Sequence, residues 1–252
     1  MKRKKILLGL ILIIMGLIGM ATILTMDIPL PSDVEAVLKE SYTPEQIRWL
    51  ILLNPSILLV LSVVVGTVLY QRVHLRVPII EKWVGINKEP LKLSDIVKSG
   101  IIGGVIVGVA LVVLVLLLKP MMLDEYEKLT QHVQPNLANR LLYGGITEEI
   151  FLRFGLMTLI VWICSKLFKG TKPAIYWIGI VLSALLFAIG HFPVVFNTID
   201  VPSTVILSYV LIGNTIGGLI LGWLYWKKGL ESAFIAHMFA HVVLVIAEKT
   251  VI

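Results

Sequence analysis

Long apolar runs alternate with short polar segments along the whole chain. An α-helix needs about 20 consecutive apolar residues to cross the hydrocarbon core of a bilayer. The runs of suitable length occupy residues 6–26, 44–70, 100–118, a fourth stretch that contains Glu148 and ends near 168, 174–192, 204–226 and 230–252. The pattern predicts an all-α, polytopic transmembrane helical bundle of seven spans, or of eight if the fourth run divides at Gly144-Gly145.

The polar connections carry signals that start and interrupt helices. Thr43 followed by Pro44 is typical of a helix cap with proline at the first helical position, and Asn54-Pro55 predicts a kink in the second span. Ser32, with Glu35 three residues later, predicts the start of a short surface helix. We expect an interfacial helix within segment 119–140 and a short loop over 193–203.

Glycines recur at four-residue spacing in two of the predicted spans. Gly100, Gly104 and Gly108 follow one face of the third span, and Gly218 and Gly222 follow one face of the sixth. Small residues at this spacing let membrane helices approach closely. These faces are therefore predicted to be packing surfaces.

Composition agrees with a membrane protein. Hydrophobic residues make up 58% of the 252-residue chain and charged residues 15%, against about 45–50% and about 25% in soluble domains. The single cysteine, Cys164, excludes an internal disulfide and a cysteine-based metal cluster. We expect one integral membrane domain over 1–252, with N-terminal spans of unassigned role over 1–136 and a core over 137–252 that carries the motifs described below.

The basic residues that produce the net charge of +6 lie beside the apolar runs, so we interpret them as topology signals and expect no nucleic-acid partner. If successive spans cross the membrane in alternating directions, the basic clusters at 2–5, 72–98, 166–172 and 227–228 all lie on the same side of the membrane. Positive residues favour the cytoplasmic side. The prediction is an N-terminus in the cytoplasm and a C-terminus outside, in what we expect to be a bacterial cell membrane.

Three charged residues stand close together inside the fourth run. Glu148, Glu149 and Arg153 are each expensive in a bilayer, by roughly 2.5–3.5 kcal/mol on insertion scales. Glu149 and Arg153 are four residues apart, so they share a helix face and can neutralise each other. Glu148 has no such local partner, which makes it a candidate general base.

The remaining polar groups of the spans are imidazoles and one amide. His74 and His132 lie in polar segments and are expected to be solvated. Three more histidines, His191, His237 and His241, lie in or at the ends of apolar runs, where polar side chains turn inward and find partners. Asn214, taken alone, is typical of a hydrogen bond between helices.

These residues form three motifs in order along the chain: EEIFLR at 148–153, FAIGH at 187–191, and a C-terminal segment ending IAHMFAH at 235–241. The set resembles the motifs EExxxR, FxxxH and HxxxN of the CPBP family, the CAAX-processing and bacteriocin-processing intramembrane proteases. The resemblance covers about residues 144–245. It implies an intramembrane endopeptidase whose substrate is a membrane-associated peptide or protein in the lipid bilayer.

The resemblance also implies roles for single residues. Glu148 and His191 would activate a water molecule, and His237 would stabilise the tetrahedral oxyanion. Glu149 and Arg153 would position Glu148.

Two further positions belong to the motifs. Phe187 is the aromatic residue of the second motif and shares a helix face with His191. His241 stands where the family has asparagine, and the hydrogen bonds of a histidine depend on its charge and tautomer.

Other readings of the same residues stay open. His237 and His241 have the i,i+4 spacing of a zinc-binding helix, and Glu148 with His191 would complete a zinc site, although the favoured mechanism needs no cofactor. A non-proteolytic membrane scaffold or a bacteriocin-immunity protein is an alternative of another class. A carrier is less favoured, because no inverted repeat is visible. The oligomeric state is not predicted.

Overall fold

In the part of the chain that the structure describes, seven helices are long and apolar enough to cross a membrane, which confirms the predicted all-α bundle of seven spans. The computed structural model describes residues 2–26, 30 and 32–251, and every regular element in those ranges is helical. The spans are Lys2–Thr25, Pro44–Val73, Leu93–Met121, Asn139–Leu167, Pro173–Thr198, Thr204–Lys228 and Leu230–Thr250. We call the fourth of them, Asn139–Leu167, the motif helix.

The α-helices are α1 (Lys2–Ala21), α2 (Ser32–Ser41), α3 (Pro44–Ile51), α4 (Leu53–Leu69), α5 (Pro78–Trp83), α6 (Leu93–Leu118), α7 (Leu123–His132), α8 (Thr158–Leu167), α9 (Pro173–Gly190), α10 (Phe192–Thr198), α11 (Thr204–Lys228) and α12 (Leu230–Thr250). Short 3-10 turns extend three of them at Thr22–Thr25, Tyr70–Val73 and Lys119–Met121. The motif helix begins with two π-helical segments, Asn139–Glu148 and Ile150–Met157, and ends with α8.

The second span begins and bends as its sequence predicts. The Thr43 hydroxyl accepts a hydrogen bond from the Gln46 backbone N–H, and the Gln46 side chain accepts one from Thr43, which completes a capping box. The α-helix is interrupted at Leu52, between α3 and α4. Proline at position 55 has no N–H to donate to the preceding turn, so the break has a local cause. The predicted surface helix is α2, while the side chain of Ser32 lies outside the described part.

Segment 193–203 was predicted to be a loop, and this prediction is wrong. The seven residues Phe192–Thr198 form helix α10 instead. Pro193 lies in the first turn of this helix, where a backbone N–H has no partner within the helix, so its missing N–H costs nothing. α10 and helix α7 pack against the start of α11 through Met122, Val195 and Ile206. α7 confirms that segment 119–140 contains a short helix, while its position at the membrane interface stays a prediction.

Both glycine faces are packing surfaces, as predicted. A Cβ atom added at Gly104 would lie 2.4 Å from the Ala236 carbonyl oxygen, so α6 and α12 are in backbone contact there. A Cβ atom at Gly218 would lie 2.8 Å from the Cα atom of Ala184, which brings α11 against α9. Van der Waals packing of this kind replaces the hydrophobic driving force that lipid does not supply.

The motif helix packs on its other side against the first two spans. The Thr147 hydroxyl donates to the Gly16 carbonyl oxygen of α1 over 3.0 Å. A Cβ atom at Gly155 would lie 2.6 Å from that of Ser62 in α4. The polar motif therefore stands at the centre of the bundle, between α1 and α4 on one side and α12 on the other.

Gly104→Ala tests the close approach of α6 and α12. The added methyl group would overlap the backbone of α12, and overpacking of this kind is expected to cost about 1–3 kcal/mol. The midpoint of unfolding in a denaturing-detergent titration measures the effect. Gly217→Ala is the control, because its Cβ atom would lie no closer than 3.7 Å to Val107. Equal midpoints for the two variants would contradict the described contact.

Candidate active site

The backbone that carries the first motif is a π-helix. Its residues form i→i+5 rather than i→i+4 hydrogen bonds over Asn139–Glu148 and again over Ile150–Met157. The Thr158 hydroxyl adds a bond of the same spacing to the Arg153 carbonyl oxygen, 3.1 Å away. Such segments are rare and are often found at functional sites.

Glu149 is held between a cation and an imidazole. Its Oε2 atom lies 3.2 Å from Nε of Arg153, which confirms the predicted pair, and its Oε1 atom lies 2.9 Å from Nδ1 of His237. The side chains of Glu149 and Arg153 are both 0% exposed. The guanidinium also lies over the Phe187 ring, 5.7 Å from its centroid. The resemblance assigned Glu149 to positioning Glu148, whereas the residue it contacts here is His237.

This contact fixes the tautomer of His237. A carboxylate paired with Arg153 can only accept, so Nδ1 of His237 carries the proton of the hydrogen bond. In the neutral ring Nε2 is then an acceptor, and only the imidazolium form donates from it.

Glu148 lies on the other side of the same ring. Its Oε2 atom is 4.0 Å from Nε2 of His237, which is longer than a hydrogen bond and short enough for one bridging water. Its side chain is 18% exposed and has no cation beside it among the ion pairs of the described residues. Glu148 therefore remains available to accept a proton.

His241 stacks on His237, with ring centroids 5.0 Å apart and an angle of 19° between the planes. Its Nδ1 atom is buried and has no hydrogen-bond partner within the described chain. A Cβ atom at Gly144 would lie 2.9 Å from Nε2 of His241 and 3.5 Å from Nε2 of His237. Both nitrogens thus face a space that only a glycine leaves open. The sequence pointed to Gly144 only as a place where the helix could divide.

His191 follows the last residue of α9 and is bound to its own helix. Its Nδ1 atom lies 2.9 Å from the Phe187 carbonyl oxygen, and the two rings meet edge to face at 4.6 Å. Because a carbonyl only accepts, Nδ1 donates and Nε2 is left as an acceptor in the neutral ring. No hydrogen bond or ion pair joins His191 to Glu148 in the described residues. The structure brings Glu148, Glu149, Arg153, His237 and His241 into contact, and Phe187 connects His191 to them.

A cavity of about 200 Å³ lies beside the two stacked imidazoles, between α6, α9, α11 and α12. Its wall is mostly apolar, which is usual for a ligand site with a few polar groups that set orientation. The polar side chains that line it are those of His237, His241, Asn214 and Tyr209. Asn214 donates from Nδ2 to the Val210 carbonyl oxygen of its own helix over 2.8 Å, so the prediction of a bond between helices is wrong.

The two remaining histidines lie outside the site. His74 and His132 are exposed, as predicted.

The zinc hypothesis requires several ligands around one point. In the chain as described, no group of three or more His, Cys, Asp or Glu side chains is arranged to hold a metal ion. The set Glu148, His191, His237 and His241 is not gathered into such a group, and zinc binding by these residues stays a prediction.

One family model matches the chain, over residues 131–243, and it describes the type II CAAX prenyl endopeptidase Rce1-like family. The matched segment contains all three motifs and the cavity wall formed by α9, α11 and α12. No curated protein and no solved structure matches the chain. With seven apolar helices, the chain is an integral membrane protein. Over residues 131–243 it is similar to the CAAX-processing proteases, which agrees with the resemblance that the three motifs carry.

Proposed function

We propose that the chain is an intramembrane endopeptidase that hydrolyses a peptide bond of a membrane-associated peptide or protein, with Glu148 as the general base. The observation that carries this proposal is the contrast between two adjacent carboxylates. Glu149 is fully buried and neutralised by Arg153, while Glu148 is partly exposed and lies 4.0 Å from a histidine ring nitrogen. Two carboxylates in such different environments can have different roles, here a structural one for Glu149 and proton transfer for Glu148.

The reaction begins with a water molecule between Glu148 and Nε2 of His237. Glu148 takes a proton from the water as the oxygen attacks the carbonyl carbon, and the π electrons of the C=O bond move to its oxygen. Collapse of this intermediate restores the C=O bond and breaks the C–N bond. The proton held by Glu148 then passes to the leaving nitrogen, so the carboxylate is regenerated.

His191 keeps the supporting role that the family motif assigns to it. Its Nδ1–H bond to Phe187 leaves Nε2 able to accept a hydrogen bond from water. The Phe187 ring contacts the His191 imidazole edge to face and also lies near the Arg153 guanidinium.

Glu148→Gln is expected to abolish proteolysis, because an amide cannot accept the proton from water. General-base catalysis contributes typically about 10²–10⁴-fold, so the loss should reach that order. Membrane peptidomes of cells that express the wild type and the variant at equal levels measure it, and an uncut species should accumulate in the variant.

Glu127→Gln is the matched control, since Glu127 is an exposed residue of α7 outside the site. Identical peptidomes for wild type and Glu148→Gln would contradict the proposal. A cellular phenotype that survives the change at unchanged protein level would instead favour the scaffold or immunity function.

Metal removal separates the proposed mechanism from the zinc alternative. We expect purified protein to retain its cleavage rate after treatment with a strong chelator, because Glu148 carries the proton transfers of the proposed mechanism without a metal ion. Zinc content per chain and the rate before and after chelation are the measurements. One tightly bound zinc ion per chain, with activity lost on removal and restored by zinc, would establish the alternative.

Gly144→Ala should impair catalysis without unfolding the protein. The methyl group would lie 2.9 Å from Nε2 of His241, so the ring must move, and a displacement of about 1 Å at a catalytic group can cost up to about 100-fold in rate. Turnover of the species that accumulates in Glu148→Gln cells measures the effect. Gly190→Ala, whose Cβ atom would meet nothing within 4 Å, is the control. Wild-type turnover in Gly144→Ala would contradict the described convergence of the two rings.

A further inference from the structure

Hydrolysis requires a hydrogen-bond donor for the carbonyl oxygen that becomes negatively charged. Such donors are worth most when they are fixed in place before the reaction begins. His237 does not supply one in its neutral form, because Nδ1 is committed to Glu149 and Nε2 is then an acceptor. Whether His241 donates depends on its tautomer, and no partner within the described residues fixes its Nδ1 atom.

Asn214 carries a donor that is independent of protonation. It lies in the middle of α11 and lines the same cavity as His237 and His241. A carboxamide has two N–H donors, and one of them is used by the Val210 carbonyl oxygen at 2.8 Å. That bond holds the side chain against its helix, which limits its rotation and leaves the second N–H for a group in the cavity.

The rest of the cavity supports the same assignment. Apart from His237, His241 and Tyr209, the side chains that line the cavity with Asn214 are apolar, including Val107, Leu111 and Leu221. Hydrogen bonds to charge are stronger in such surroundings than in water, because the local dielectric constant is low. An amide that faces this space has few alternative partners among the described lining residues.

We propose that Asn214 is a catalytic residue that donates a hydrogen bond from Nδ2 to the carbonyl oxygen of the scissile peptide bond. The inference rests on the proposed endopeptidase function. As water attacks, the C=O electron pair moves onto this oxygen, and the Asn214 N–H stabilises the resulting charge without transferring its proton. The hydrogen bond from Asn214 is stronger in the transition state than in the bound substrate. Its main effect is therefore on kcat, and its effect on KM is small.

Asn214→Leu tests the role, because leucine has nearly the same size and belongs in a membrane helix. The assay substrate is the uncut species that accumulates in Glu148→Gln cells. Loss of one oxyanion donor costs about 10²–10³-fold in kcat, and we expect that fall with KM nearly unchanged. Thr215→Val is the control: Thr215 is the next residue of α11, it does not line the cavity, and its hydroxyl has no partner in the described chain. It should keep wild-type kcat.

Two further measurements distinguish catalysis from a structural role. A peptide phosphinate built on the cleaved sequence places a tetrahedral anionic group at the attacked carbon, and it should bind at least about 100-fold more weakly to Asn214→Leu than to wild type. The double variant Asn214→Leu/His241→Asn should have a higher kcat than Asn214→Leu alone, because the new asparagine returns an amide donor to the same cavity.

The outcomes separate the two proposals. If Glu148→Gln leaves the peptidome unchanged, the endopeptidase function fails and the role of Asn214 fails with it. If Glu148→Gln blocks cleavage while Asn214→Leu keeps wild-type kcat, only the role of Asn214 is overturned. A raised KM with unchanged kcat, or equal affinity of wild type and Asn214→Leu for the phosphinate, also overturns it.

Discussion

The buried contact between Glu149, Arg153 and His237 is the constraint on which the site depends. Two fully buried charges in a membrane protein are tolerated because each lies beside the other, with Nε and Oε2 3.2 Å apart. This contact is an ion pair without a hydrogen bond, because none of the three guanidinium nitrogens, nor Oε2 of Glu149, has a hydrogen-bond partner in the described residues. The Phe187 ring faces the cation at 5.7 Å. Loss of one partner would leave an uncompensated charge, at a cost of about 3–5 kcal/mol. The remaining oxygen of Glu149 is therefore held firmly enough to orient His237.

Glycines bring together the motif helix, which carries Glu149 and Arg153, and α12, which carries His237. The ring of His237 reaches Glu149 because α12 lies close to the motif helix, where Gly144 and Gly145 present no side chains to it. The opposite side of α12 is in backbone contact with α6 at Gly104. Lipid is as apolar as the side chains, so shape rather than hydrophobicity must hold these helices in register. The geometry of the candidate site and the packing of the bundle thus depend on the same small residues.

Much of this arrangement could be predicted from the sequence. Apolar length defined the seven spans, glycine spacing defined the packing faces of α6 and α11, and i,i+4 spacing identified the Glu149–Arg153 pair. Partners on different helices were not predictable, because spacing describes only one helix at a time. The bond from Glu149 to His237 and the position of Asn214 are of this kind. The missed helix α10 has a different reason: segment 193–203 was predicted to be a loop, whereas the proline at its start is tolerated in the first turn of a helix.

The π-helical backbone explains how two consecutive glutamates can address one imidazole. In an α-helix, with 3.6 residues per turn, neighbouring side chains point about 100° apart. The wider turn made by i→i+5 bonds reduces the angle between successive residues. Glu148 ends the first π-helical segment, Glu149 lies between the two segments, and both side chains face His237 of α12. Glu149 then meets Nδ1 of His237 and Glu148 lies near Nε2. The two ring nitrogens of His237 therefore face carboxylates in different environments. Glu149 is buried and paired with Arg153, whereas Glu148 is partly exposed and has no such cation.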